Sequence, residues 1–143
     1  MVTNNLLKFV LNTLGGNNST GSAYLALSTT DPGRDGTNIT EPRGNGYERK
    51  LLGASSQTKL MGQPTENTIT NKVTITNAEE IHFNEATGSW GEIKYFAIFT
   101  TKTDGTIYYS GQLTSPISPV DGSVVVIKKG ELSISLSAEE LSA

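Results

Sequence analysis

The side chains able to do proton, nucleophile or metal chemistry are few in this chain of 143 residues. Cys is absent, and the single histidine, His82, lies between Ile81 and Phe83, where strand alternation points it away from both. A lone His with no second His or Cys nearby supplies no metal-ligand set, and no G-x-S-x-G elbow accompanies it, so it reads as a surface residue. The pattern G-x-x-x-x-G-K-[ST] is missing too. Gly44-Asn45-Gly46 runs into Tyr47-Glu48-Arg49 rather than into a helix, so no phosphate cradle is expected. Two carboxylate groups remain. Asp31, Asp35 and Glu41 share a Gly-rich stretch that could wrap a hard cation, but the spacing departs from an EF-hand loop, and Asp-Pro and Asp-Gly are favoured turn pairs in their own right. Glu79, Glu80 and Glu85 are the residue types of a glycosidase acid and base, yet sequence spacing reports no through-space separation. The sequence therefore assigns no catalytic residue, metal or cofactor, and an enzyme is not expected.

Composition narrows the partners. Lys and Arg number 11 against 14 Asp and Glu, a net charge of -3, with no basic run to neutralise a phosphate backbone, so no nucleic-acid partner is expected. The apolar stretches Leu6–Leu14 and Tyr95–Phe99 are far shorter than the roughly 20 residues that span a bilayer, so no membrane partner is expected either. The start of the sequence, Met1 to Asn5, carries no basic residue of a signal peptide, and synthesis in a reducing cytosol is the expectation. Polarity comes instead from 19 Thr, 14 Ser and 11 Asn, while charged residues make up 17%.

The elements that must position these residues are mostly strands. Residues 1–16 read as one amphipathic helix, since Leu6, Leu7, Phe9, Val10, Leu11 and Leu14 repeat at spacings of three and four and Gly15-Gly16 stops it. Such a helix can cover the open end of a sheet or pack against copies of itself. From Ser22 the period becomes two: Ala23, Leu25 and Leu27 alternate with Tyr24, Ala26 and Ser28. Asp31 to Gly46 is a long turn-rich loop, Tyr47, Arg49 and Leu51 open a second strand, and Ser55 to Asn67 reads as loop again. Asn67 to Thr76 is predicted as one β-branched strand, followed by a short one at Ile81 and Phe83. Glu92–Thr101 and Thr106–Leu113 form a predicted hairpin across Asp104-Gly105, with a first arm apolar on both faces and hence central. Ser123–Lys128 and Glu131–Leu136 are predicted to pair around Lys129-Gly130.

About seven or eight strands with polar turns between them predict a mainly β fold. It is an antiparallel β-sandwich or jelly-roll-like barrel over residues 17–143, a single domain with one short N-terminal α-helix. Candidate interface residues are Leu6, Phe9, Val10 and Leu14 on the helix, together with Trp90 and Tyr109. Trp90, between Gly88 and Gly91, is either a core plug or a contact for a subunit or ligand. Tyr108 and Tyr109 must face opposite ways, and an outward Tyr109 would suit a protein interface or a sugar surface.

Taken in order, Ala23 to Gly33, Glu41-Pro42, Gly46-Tyr47-x-Arg49, Ile81-x-Phe83, Ala86 to Gly91, Phe96 to Phe99 and Gly111-x-Leu113 resemble a group of small tailed-bacteriophage virion proteins. Members of the group are described as tail-fibre or baseplate-associated proteins, or as head-fibre or capsid-decoration proteins. Ser55 to Thr65 carries none of its motifs. The resemblance implies a non-enzymatic β-sandwich structural protein of the virion, made in the host cytoplasm and assembled as a homo-trimer. Its first implied partner is the major capsid protein of the assembled shell, as for a capsid decoration or head-fibre protein. A tail fibre contacting the host surface, with tail proteins as partners, is the alternative. A more distant one is a carbohydrate-binding module, for which Tyr109 and Trp90 would have to form a platform.

Overall fold

The structure, a computed structural model, describes residues 8, 10–13, 22–54, 58–70 and 72–137. Its strands are β1 (Ser22–Ser28), β2 (Lys50–Ala54), β3 (Thr58–Lys59), β4 (Thr65–Asn67), β5 (Lys72–Thr76), β6 (Ile81–His82), β7 (Ile93–Phe99), β8 (Ile107–Ile117), β9 (Val126–Ile127) and β10 (Ser133–Ser137). They form three antiparallel sheets ordered β3-β2-β1-β7-β8, β10-β5-β4 and β6-β9. The mainly β, antiparallel class expected from the alternation is the class observed. Residues 8 and 10–13 are helical, within the predicted helix; Leu6, Phe9 and Leu14 lie outside the described residues. The chain forms two compact units, one from residues 1–22, 52–81 and 127–143 and the other from 23–51 and 82–126.

In the second unit β7 is central, as its double-sided apolar sequence requires: Phe96, Ala97, Ile98 and Phe99 are buried one after another. It pairs with β1 through Leu25↔Ile98 and Leu27↔Phe96, and with β8 through Ala97↔Ser110 and Phe96↔Gly111. Gly111 has to be Gly, because a Cβ there would sit 2.6 Å from the Phe96 ring. The predicted Asp-Gly turn is present, with φ of 52° at Asp104 and 81° at Gly105, the left-handed conformation that this pair tolerates.

In the first unit, register brings apolar pairs together across β5 and β10, Ile75↔Ile134 and Val73↔Leu136. The other face carries hydroxyls: Thr74 Oγ1 and Ser135 Oγ are 2.7 Å apart. Here three sequence expectations are corrected. Asn67–Thr76 is not one strand, because the Asn67 side-chain oxygen accepts the N–H groups of Ile69 and Thr70 and turns the chain, leaving Ile69 92% exposed. The residues on either side become β4 and β5, paired with each other. The stretch expected as loop from Ser55 contains β3 as well as β4, with β3 paired to β2 through Gly53↔Lys59. Finally, β9 and β10 do not pair with one another. The turn around Lys129-Gly130 closes, with Glu131 N donating to Lys128 O and a φ of 83° at Gly130, but Asn77 occupies its mouth.

Asn77 is 1% exposed and its side chain replaces a ladder. Its Nδ2 donates to Glu79 O and Lys128 O, and its Oδ1 accepts from Leu132 N. Its backbone adds N–H to Leu132 O and C=O from Gly130 N. A buried amide satisfied this fully fixes the turn; truncated, it strands two carbonyls and an N–H away from water. Asn77→Ala is expected to destabilise the fold by about 3 kcal/mol, read as a lower urea midpoint at unchanged m value, with Asn77→Asp intermediate.

Candidate interaction surface

The long loop after β1 is ordered by side-chain oxygens rather than by strand pairing. Ser28, fully buried at the end of β1, donates to Thr30 O and accepts from Thr30 N and Thr40 N. Asp31 accepts from Gly33 N, and Asp35 from both the N–H and the hydroxyl of Thr37. Those two bonds hold the Asp35 carboxyl below the usual carboxylate range. The loop lies down where Gly36 meets Ile107, a contact at which any Cβ would overlap that side chain, and Ile39 packs on Ala26, Ala97 and Phe99.

Its far end is tied by Arg49. The guanidinium makes a bidentate pair with Glu41, Nε to Oε1 at 3.0 Å and Nη2 to Oε2 at 2.8 Å. Its Nη1 donates to Thr101 O and Asp104 O at the tip of the β7–β8 hairpin, at 3.0 and 2.7 Å. The ring of Phe99 lies 3.6 Å beneath it, so planarity, charge and fork geometry are all used, and Lys could not substitute. Tyr47 completes the network: its hydroxyl donates to Glu41 Oε1 and accepts from Leu27 N. Burial, reinforced by the Glu41 charge, pushes the Tyr47 phenol far above its ordinary value.

Between this loop and the hairpin tip lies a half-open cleft of about 470 Å³. Its floor includes Glu41 and Arg49, whose side chains are 22% and 7% exposed. Ile39 and Pro42 contribute an apolar wall, Thr40 and Thr103 hydroxyls, and the charged lining residues Arg43, Lys102, Glu48 and Asp104 balance in sign. Lys102 and Glu48 approach to 3.5 Å, both more than half exposed.

The sequence candidates distribute differently. Val10 is half-buried beside the fully buried Leu11. Trp90 takes the core reading: it is 3% exposed, its Nε1 donates to Asn45 O, and it meets Tyr47 edge-on at 5.3 Å and Phe83 at 6.4 Å. A Trp so enclosed shows no face to a sugar. The outward tyrosine is Tyr108, 59% exposed; Tyr109 is half-buried and stacks on Phe96, so the Trp90–Tyr109 platform is not formed. His82 is exposed, as expected. Asp31, Asp35 and Glu41 each serve a different partner, and among the described residues no three His, Asp or Glu gather as a metal-ligand group. Glu79, Glu80 and Glu85 are all exposed. Sequence reasoning missed the pairing of Glu41 with Arg49; its available signal was the short Gly46-Tyr47-x-Arg49 motif after Glu41-Pro42.

The raised Tyr47 pKa gives a pH signature. The phenol stays protonated in the fold and ionises near pH 10 when unfolded, so its contribution is complete below about pH 10 and is lost as pH rises beyond it. The urea midpoint is expected to fall between pH 9 and 11, and Tyr47→Phe to flatten that fall; equal slopes would show that Tyr47 is not its source.

No curated protein matches the chain. A family model described as podophage GP4 fiber I protein gp80 matches residues 1–135. Nearly the whole sequence lies inside that match, including every strand from β1 to β9 and both hydrogen-bond hubs, and the chain therefore belongs to this podophage fiber protein family.

Proposed function

We propose that the protein is a non-enzymatic structural subunit of a virion fiber, a homo-trimer of head-fibre type bound to the assembled shell through the major capsid protein. The observation that carries this reading is the family match over residues 1–135, which places the chain among phage fiber proteins. The physical character agrees with it. A chain with no Cys has no disulfides to stabilise it outside a cell, and burial between subunits is a usual substitute. Its surface is made soluble by Thr and Ser on outer strand faces, as at Thr74 and Ser135. The tail-fibre reading, with tail proteins as partners, is favoured by the same word in the family description and differs from the first in copy number. Quantitative mass spectrometry of purified virions is expected to count hundreds of copies per particle; about a dozen would move the protein to the tail.

The subunit contact is assigned to the N-terminal helix through Leu6, Phe9, Val10 and Leu14. Replacing Phe9 and Val10 together by Ser is expected to convert trimers to monomers by light scattering. An unchanged mass in a folded variant would place the contact elsewhere.

A further inference from the structure

We propose that Asn45-Gly46 is a site of spontaneous covalent modification, held off by the contacts of the Asn45 amide, and that its rearranged product releases Trp90 from its hydrogen bond. It is the one Asn-Gly pair in the sequence. Gly46 has no Cβ to hinder its own nitrogen, so that nitrogen can attack the side-chain carbon of the preceding Asn more readily than in any other pair of this chain. In that step the Gly46 N–H gives its proton to water or hydroxide, the N–Cγ bond forms, the Cγ–Nδ2 bond breaks and ammonia leaves, closing a five-membered imide. Water then opens the imide at either carbonyl. One product is aspartate; the other is isoaspartate, with the main chain rerouted through Cβ and Cγ. Asn45 and Gly46 are both exposed, so water reaches the site.

The fold opposes the first step. Asn45 and Gly46 are the central residues of a tight turn, with φ of 54° and 80°, closed by Tyr47 N donating to Gly44 O at 3.1 Å. The Asn45 side chain is engaged with the segment before β7. Its Nδ2 donates to Ser89 O at 3.1 Å, and Gly88 lies so close that a Cβ there would sit 2.7 Å from the Asn45 Cγ. Gly46 is as tightly placed, since a Cβ on it would lie 2.6 Å from Glu85 O. Ring closure must rotate the Asn45 side chain and its ψ, and these contacts hold both. The products cannot remake them. Aspartate sets a carboxylate oxygen against Ser89 O, two acceptors with no proton between them. Isoaspartate lengthens the turn by one carbon and converts the Asn45 carbonyl, which accepts Trp90 Nε1 at 2.8 Å and Thr87 N at 2.9 Å, into a free carboxylate on a displaced chain.

The test ages the full chain at mildly alkaline pH, folded or in urea, and follows Asn45 conversion by peptide mass spectrometry. Conversion in urea is expected to be faster than in the fold by about tenfold or more. Equal rates, or no conversion in urea, would overturn the proposal. Gly88→Ala, whose Cβ displaces the Asn45 amide at a residue without positive φ, is expected to raise the rate in the folded protein several-fold. A folded Gly88→Ala that ages at the wild-type rate would overturn the gating. Aged protein is separated by its added negative charge, and Trp90, the one Trp in the sequence, reports the release by its emission. A red shift is expected in the isoaspartate form and little change in Asn45→Asp; wild-type emission from the isoaspartate form would overturn the release of Trp90.

Discussion

Backbone groups that leave a sheet must find partners before they can be buried, and the constraint falls heavily on a chain whose strands are separated by long turns. Two side chains meet much of it. Arg49 closes two carbonyls of the hairpin tip while holding Glu41 of the preceding loop, and Asn77 closes two carbonyls and one N–H around the Lys128–Leu132 turn. Each does so inside its own compact unit. Ser28 performs the same task on a smaller scale at the mouth of the long loop.

The amide and hydroxyl excess has its physical meaning here. Charges are costly to bury and need partners of opposite sign, whereas Asn, Ser and Thr donate and accept at once and can be enclosed whole. Asn77 and Ser28 are almost completely buried on these terms. The buried charge that does occur, on Arg49, is compensated by a bidentate carboxylate, two carbonyls and an aromatic face, the conditions under which desolvation is offset.

The chain belongs to a podophage fiber family, and among the described residues no three His, Asp or Glu gather as a metal-ligand group. Among the described residues the exposed large apolar side chains are Ile69 at a turn tip, Tyr108 on β8, and Val120, Val124 and Val126 on the late segment.

Period-two alternation in Ala23–Ser28 and the double-sided apolar run Ile93–Phe99 settled that β1 is a strand and that β7 is central, but the single buried face read for β1 does not hold, since Ala26 and Ser28 are buried together with Leu25 and Leu27. Asp104-Gly105 settled its turn, because positive φ is a local steric demand. What depended on distant groups was decided only by tertiary structure. Asn67 turned an apparent strand into a hairpin, and Asn77 separated two strands that alternation alone would have paired. Trp90 turned inward because Asn45 O, Tyr47 and Phe83 were there to receive it, and Glu41 met Arg49 rather than a cation. A polar side chain chooses its partner through space, and spacing along a chain does not record that choice.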